Sequence, residues 1–174
     1  NRPTKGDRGA YRYAFMGRSN QQPLGGSGDR VTIDWGYIYV ASQQEKAKLF
    51  YDEESGKIGW GWDVSNREET ADFVLAYDDI LSINYFGQWR RAYWTKVYAS
   101  IQDAIAAAFL DKEEVLQKAQ RFDRELQRKA EEIGGAEYAF ICNMAYRQTV
   151  AAHKLITDEE GNIIFLSKEN DSNG

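Results

Sequence analysis

The run Lys168-Glu169-Asn170-Asp171-Ser172-Asn173-Gly174 gathers side chains that can do chemistry together. On an extended backbone side chains alternate, so Glu169 and Asp171 face the same way. Two carboxylates held a few ångströms apart can divide acid and base duties in a hydrolysis. Lys168 offers a cation to a substrate carboxylate, or lowers the pKa of a neighbouring acid. Asn170 offers an amide N–H to a developing oxyanion. Glu169 and Asp171 as catalytic groups, with Lys168 and Asn170 as substrate contacts, suit the hydrolysis of an amide or a glycosidic bond. The plainer alternative is a polar loop before a helix, with Ser172 or Asn173 as its N-cap.

Other candidates are more isolated. Arg147, with Gln148 beside it, sits in an otherwise apolar helical stretch. Its guanidinium fork suits substrate recognition; the alternative is an ion pair that ties the helix down. Cys142 is the only cysteine and His153 the only histidine. A Ser-His-Asp triad would have to use that histidine. On one helix the two residues would lie about 16 Å apart along the axis, too far to act as a pair, and Cys142 reads as a small core residue. One cysteine excludes an internal disulfide and a Cys-rich zinc site. Trp35 reads as core beside a solvent-facing Asp34, with a sugar-stacking face as the alternative. Trp60 and Trp62 read as aromatics that cover a neighbouring domain or face a ligand. Asp78-Asp79 reads as a turn, calcium being the alternative use of two such acids. No phosphate-binding glycine loop or metal-ligand cluster occurs, so neither cofactor nor metal is expected.

The elements that must position these residues change character near residue 95. Trp, Tyr, Gly and β-branched residues dominate before it, and Ala, Glu, Lys, Gln and Leu after it. Alternation predicts strands at 12–16, 31–42, 48–51, 58–62, 72–77 and 80–89, with a glycine-rich loop at 25–28 and a turn at 52–56. Helical spacing sets in from 94 to 109. A second helix starts at Asp111, an N-cap with Glu114 in a capping-box position, and carries an apolar stripe from Val115 to Ile133. Gly134-Gly135 ends it. A third helix, from Ala136 to about Leu155, is apolar around most of its circumference and calls for cover on several sides. So short a link requires a helical hairpin, antiparallel or sharply angled. The turn at 158–162 then joins two short strands in a β-hairpin.

Bulk properties set outer limits. The 174 residues are 43% hydrophobic and 14% aromatic, ample material for a core, and carry a net charge of −5. An acidic chain without a basic stripe is not built for nucleic acid. No 18-residue apolar run is present to span a membrane, and no charged n-region followed by an apolar h-region is visible in the first residues.

The stretch GGAEYAFICNMAYRQTVAAHKLITDEEGNIIFLSKENDSNG, Gly134 to Gly174, resembles the glutaminase A-like family. The matching motifs are Ala145-Tyr146-Arg147-Gln148 on a helix and Ser167 to Gly174 after a hairpin. Thr32 to Ala41, Leu75 to Gln88 and Phe122 to Gly135 are similar too. The resemblance implies a β-sandwich followed by a helical domain of the six-hairpin (α/α)6 toroid type. It implies hydrolysis of L-glutamine to glutamate and ammonia, in a periplasmic or extracellular parent protein. The expected fold class is therefore α+β. Residues 1–95 would be the C-terminal part of an antiparallel β-sandwich. Residues 96–174 would be a linker helix and the first toroid hairpin, closed by a short β-hairpin. The expected partners are the remaining sandwich and toroid parts of the parent, with glutamine as small-molecule substrate. The chain by itself is expected to be inactive and to self-associate through uncovered apolar faces. A non-catalytic or carbohydrate-associated module, or part of a glycosidase-like enzyme, is the alternative, since a fold does not dictate a reaction.

Overall fold

The computed structural model describes residues 4–24, 35–52, 54–63 and 70–167. Helices and antiparallel sheets are both present, in the α+β class. The chain forms two compact units, residues 1–109 and 110–174.

The first unit is built on a four-stranded sheet of order β1-β2-β3-β6, from Thr4–Asp7, Arg12–Gly17, Tyr37–Ser42 and Phe73–Asp78. Every pairing is antiparallel, and Phe15 lies opposite Tyr39. The alternation expected from the sequence puts Tyr11, Tyr13 and Phe15 on one face with Tyr37, Tyr39 and Ala41. These rings pack against one another at centroid distances such as 5.0 Å for Phe15–Tyr39 and 6.1 Å for Tyr13–Tyr39. Strand propensity and cross-strand aromatic pairing thus act on the same residues. Trp35 is buried, as expected of a core residue. The glycine-rich loop 25–28, the strand start 31–34 and Asp34 lie outside the described residues.

Helix α2 (Ile101–Leu110) closes this aromatic face. Ile101, Ile105 and Phe109 are buried at i, i+4, i+8 spacing against Tyr11, Tyr39 and Ala41. Ala108 is exposed, and the inward stripe runs on through Phe109. The helical region from 94 is broken. A short α1 (Trp94–Val97) precedes α2, and Ser100 caps α2 by accepting from Asp103 N at 3.1 Å while donating to its carboxylate at 2.6 Å. The Tyr11 hydroxyl donates to Gln102 O at 2.6 Å, fixing helix to strand.

The β4 (Lys48–Asp52) and β5 (Lys57–Gly61) strands form the expected hairpin, with Asp52 accepting from Glu54 N and Ser55 N in the turn. It packs on the sheet side that carries Arg12. The Trp60 indole N–H donates to Val40 O at 3.0 Å, and the Arg12 guanidinium lies 5.2 Å from its ring centroid. Trp62 packs on Phe73 at 4.9 Å. Both tryptophans therefore have partners inside their own unit.

Residues 80–89 do not form one strand. They make a hairpin of β7 (Ile83–Tyr85) and β8 (Gln88–Arg90). Phe86 and Gly87 both take positive φ, 47° and 85°, the signature of a two-residue turn whose twist matches that of the flanking strands. The Asp78-Asp79 turn is present. Asp78 accepts from Ile80 N at 2.9 Å, and the buried Asp79 accepts from the buried Ser82 hydroxyl at 2.7 Å.

In the second unit α3 spans Lys112–Ala151, interrupted at Gly135 (φ 78°, ψ −175°). That conformation is open essentially only to glycine. The two halves fold back on each other: Phe122 meets Tyr146 at 4.8 Å, the Asn143 amide donates to Gln127, and Ala130 and Ala139 are buried. The helical hairpin expected from the Gly-Gly break is present. Asp111 is the N-cap but makes no side-chain capping bond, and Glu114 pairs with Lys118 at 2.5 Å instead. The capping box is thereby corrected: Asp111, at φ −90° and ψ 3°, lacks the extended backbone that aims a cap side chain. The last helix also ends earlier than the sequence suggested. His153, Lys154 and Leu155 belong to β9 (His153–Thr157), paired with β10 (Ile163–Ser167). Asp158 accepts from Asn162 N at 2.7 Å and Asn162 Nδ2 at 2.8 Å, closing the turn.

Candidate functional site

The residues expected to do chemistry divide into those the structure places and those it does not. Lys168, Glu169, Asn170 and Asp171 lie outside the described residues. What precedes them is placed: β10 ends at Ser167, which stands opposite His153 in the β9–β10 register. The His153 ring stacks on Phe165 at 4.5 Å and 18°. His153 is therefore part of a small aromatic contact at the end of the hairpin where the candidate motif begins.

Arg147 projects from the second half of α3 and is exposed. It lines a groove of about 450 Å³ between the halves, with Asp123, Arg124, Gln127, Asn143 and Tyr146. The groove mixes one carboxylate, two guanidinium groups and two amides over an apolar floor. Among the described residues Arg147 makes no ion pair. A guanidinium exposed in a polar groove can bind a carboxylate through two parallel N–H donors. One turn before the groove, the half-buried Cys142 lies beside the exposed Tyr138 and holds the phenol's pKa above its ordinary value. Cys142 is only half-buried in this unit, a correction to its reading as core.

Two further cavities lie in the first unit. One, of about 370 Å³, is bounded by Gln44, Lys46, Trp62, Thr70 and Asp72. The other, of about 530 Å³, lies between the edge strand β1 and the β4–β5 hairpin. It is lined by Lys5, Gly6, Asp7, Arg12, Tyr13, Ala47, Lys48, Leu49 and Trp60. Lys5, Asp7 and Arg12 share one face of the sheet, since Lys5 pairs with Ala14 and Asp7 with Arg12. Sequence reasoning missed this constellation. Its members come from four separate segments, and nothing in their spacing joins them.

Two families match the chain. Residues 57–129 match a domain of unknown function, DUF5127. Residues 135–174 match the glutaminase A six helical-hairpin domain. The second match begins at the Gly135 break and takes in Arg147 and the whole Lys168–Gly174 run. Together the matches support a glutaminase A-like family. No curated protein and no solved structure matches the chain.

Proposed function

We propose that this chain is part of a glutaminase-type amidohydrolase, which hydrolyses L-glutamine to glutamate and ammonia in a longer parent protein. The observation that carries the reading is the match of residues 135–174 to the glutaminase A six helical-hairpin domain, over the stretch that holds Arg147 and the Lys168–Asp171 run. In this reading the first unit contributes to a β-sandwich, and the α3 hairpin begins an (α/α)6 toroid.

Glu169 and Asp171 are the acid–base pair. One carboxylate accepts a proton from the attacking water, and the other returns a proton to the departing ammonia. Asn170 donates to the oxyanion formed at the amide carbon. Lys168 and Arg147 hold the substrate's α-carboxylate, Arg147 through its planar fork. The remaining sandwich and toroid supply the rest of the site.

The exposed side chains after Gly135 support a role inside a larger helical assembly. Tyr138, Phe140, Ile141, Met144, Tyr146 and Val150 all face water in this unit. Apolar surface of that extent is ordinarily covered. In this reading the isolated chain associates with itself through these faces, and it lacks the parts of the site that the rest of the parent supplies.

The test is ammonia release from L-glutamine by the parent protein and by the 174-residue chain, with circular dichroism to verify folding. An active parent that loses activity in Glu169→Gln and Asp171→Asn, with unchanged dichroism, supports the reading. A parent that releases no ammonia from glutamine overturns it.

A further inference from the structure

The cleft between β1 and the β4–β5 hairpin has no part in that chemistry. Its volume, about 530 Å³, falls within the range of small-molecule sites. Three cations line it, Lys5, Arg12 and Lys48, against one carboxylate, Asp7. This local excess of positive charge sits in a chain of net charge −5. Neither Lys5 nor Lys48 has an ion-pair partner among the described residues.

The floor of the cleft is fixed in advance. Arg12 donates to Gln44 O at 2.5 Å, Ala47 O at 3.0 Å and Glu45 O at 3.1 Å, so its charge cannot swing away. Its guanidinium lies over the Trp60 ring, which the bond to Val40 O holds in turn. Trp60 and Leu49 add apolar surface beside the charges. Preorganisation of this kind lowers the ordering cost of binding.

Asp7 selects among anions. One of its oxygens accepts from Gly9 N at 2.6 Å, and the other has no partner among the described residues. It repels a compact anion but accepts a hydrogen bond from a hydroxyl. Free ammonium groups for a carboxylate, an acceptor for hydroxyls and an apolar wall for a ring describe one ligand class.

We propose that this cleft binds a uronic acid, a carboxylate carried on a hydroxylated sugar ring, through Lys5 and Lys48, with Asp7 accepting from its hydroxyls. The site lies in the first unit and is independent of the glutaminase reading.

The test is a titration of the chain followed by backbone amide chemical shifts, at constant ionic strength, with sodium glucuronate, glucose and inorganic phosphate. The expected result is saturable shifts at Lys5, Gly6 and Lys48 with glucuronate, and weaker binding of both other probes. Each exposed charge pair contributes a few-fold in affinity, so Lys5→Ala/Lys48→Ala should weaken glucuronate binding on the order of tenfold. Both lysines are exposed and away from the core, and the same spectra verify that the variant is folded. Glucuronate that binds no better than glucose, or equally well to the double variant, overturns the proposal. Phosphate that binds as tightly as glucuronate overturns it too, because Asp7 would then select nothing.

Discussion

Replacing Gly135 by alanine should open the α3 hairpin. At φ 78° and ψ −175° an alanine costs about 1–3 kcal/mol. In an uninterrupted helix the same alanine gains about 1 kcal/mol over glycine. The substitution therefore shifts the balance toward a straight helix by about 2–4 kcal/mol, about 30-fold to 1,000-fold. Opposing it are the Phe122–Tyr146 ring pair, at about 0.5–1.5 kcal/mol, and the Asn143–Gln127 bond, at a similar value. The closure around Ala130 and Ala139 adds to these. The terms are of equal size, so the straight form becomes populated. Spin labels at Arg121→Cys and Thr149→Cys, in a Cys142→Ala background, read the outcome by electron–electron distance measurement. The folded hairpin holds the two helix axes about 8–10 Å apart. A straight helix separates positions 121 and 149 by about 42 Å. A single short distance in Gly135→Ala, with stability lowered by less than about 1 kcal/mol, would refute the argument that this glycine's backbone makes the turn.

Four other outcomes can be checked. Ile105→Ala should cost about 2–5 kcal/mol in urea unfolding, because Ile105 is only 1% exposed and fills the space between α2 and the aromatic face. Asp79→Ala should cost about 1–3 kcal/mol by the same measurement, since it strands the buried Ser82 hydroxyl without its acceptor. Burial, with Asp78 nearby, pushes the Tyr39 phenol up to about 12. Its contribution to stability is complete below pH 10 and is lost as pH rises from 10 to 12, so thermal unfolding should fall across that window, less so in Tyr39→Phe. Hydrogen bonds from Asn162 hold the Asp158 carboxyl below its ordinary range. Its contribution is therefore present above pH 4 and lost on acidification below it, which should appear as loss of the Asn162 amide protection in hydrogen exchange.

Periodicity made much of the fold legible in advance. The Tyr-rich alternation of β3 has a period of two, which sets Tyr39 and Ala41 on one face, and both are buried. The Gly134-Gly135 break was equally readable, because local backbone freedom marks a helix end. Other features were not. The sequence 80–89 alternates as one strand would, and the positive φ of Phe86 and Gly87 turns it into a hairpin, a conformation that an aromatic residue such as Phe86 rarely takes by propensity. His153 continues an alanine-rich helical pattern, yet pairing with Ser167 draws it into a strand, since long-range sheet bonds outweigh weak helix preference.

The chemistry divides along the same line. The sequence by itself determined the acid-rich terminal run, Arg147, the absence of a second cysteine or histidine, and the α+β character, because these depend on composition and on near neighbours. Only the tertiary structure decided that Trp60 serves its own sheet, and that Lys5, Arg12 and Lys48 share one cleft with Asp7. Residues 5, 12, 48 and 60 meet because antiparallel pairing brings distant segments side by side. Register of that kind is set by the whole sheet and is carried by no local motif.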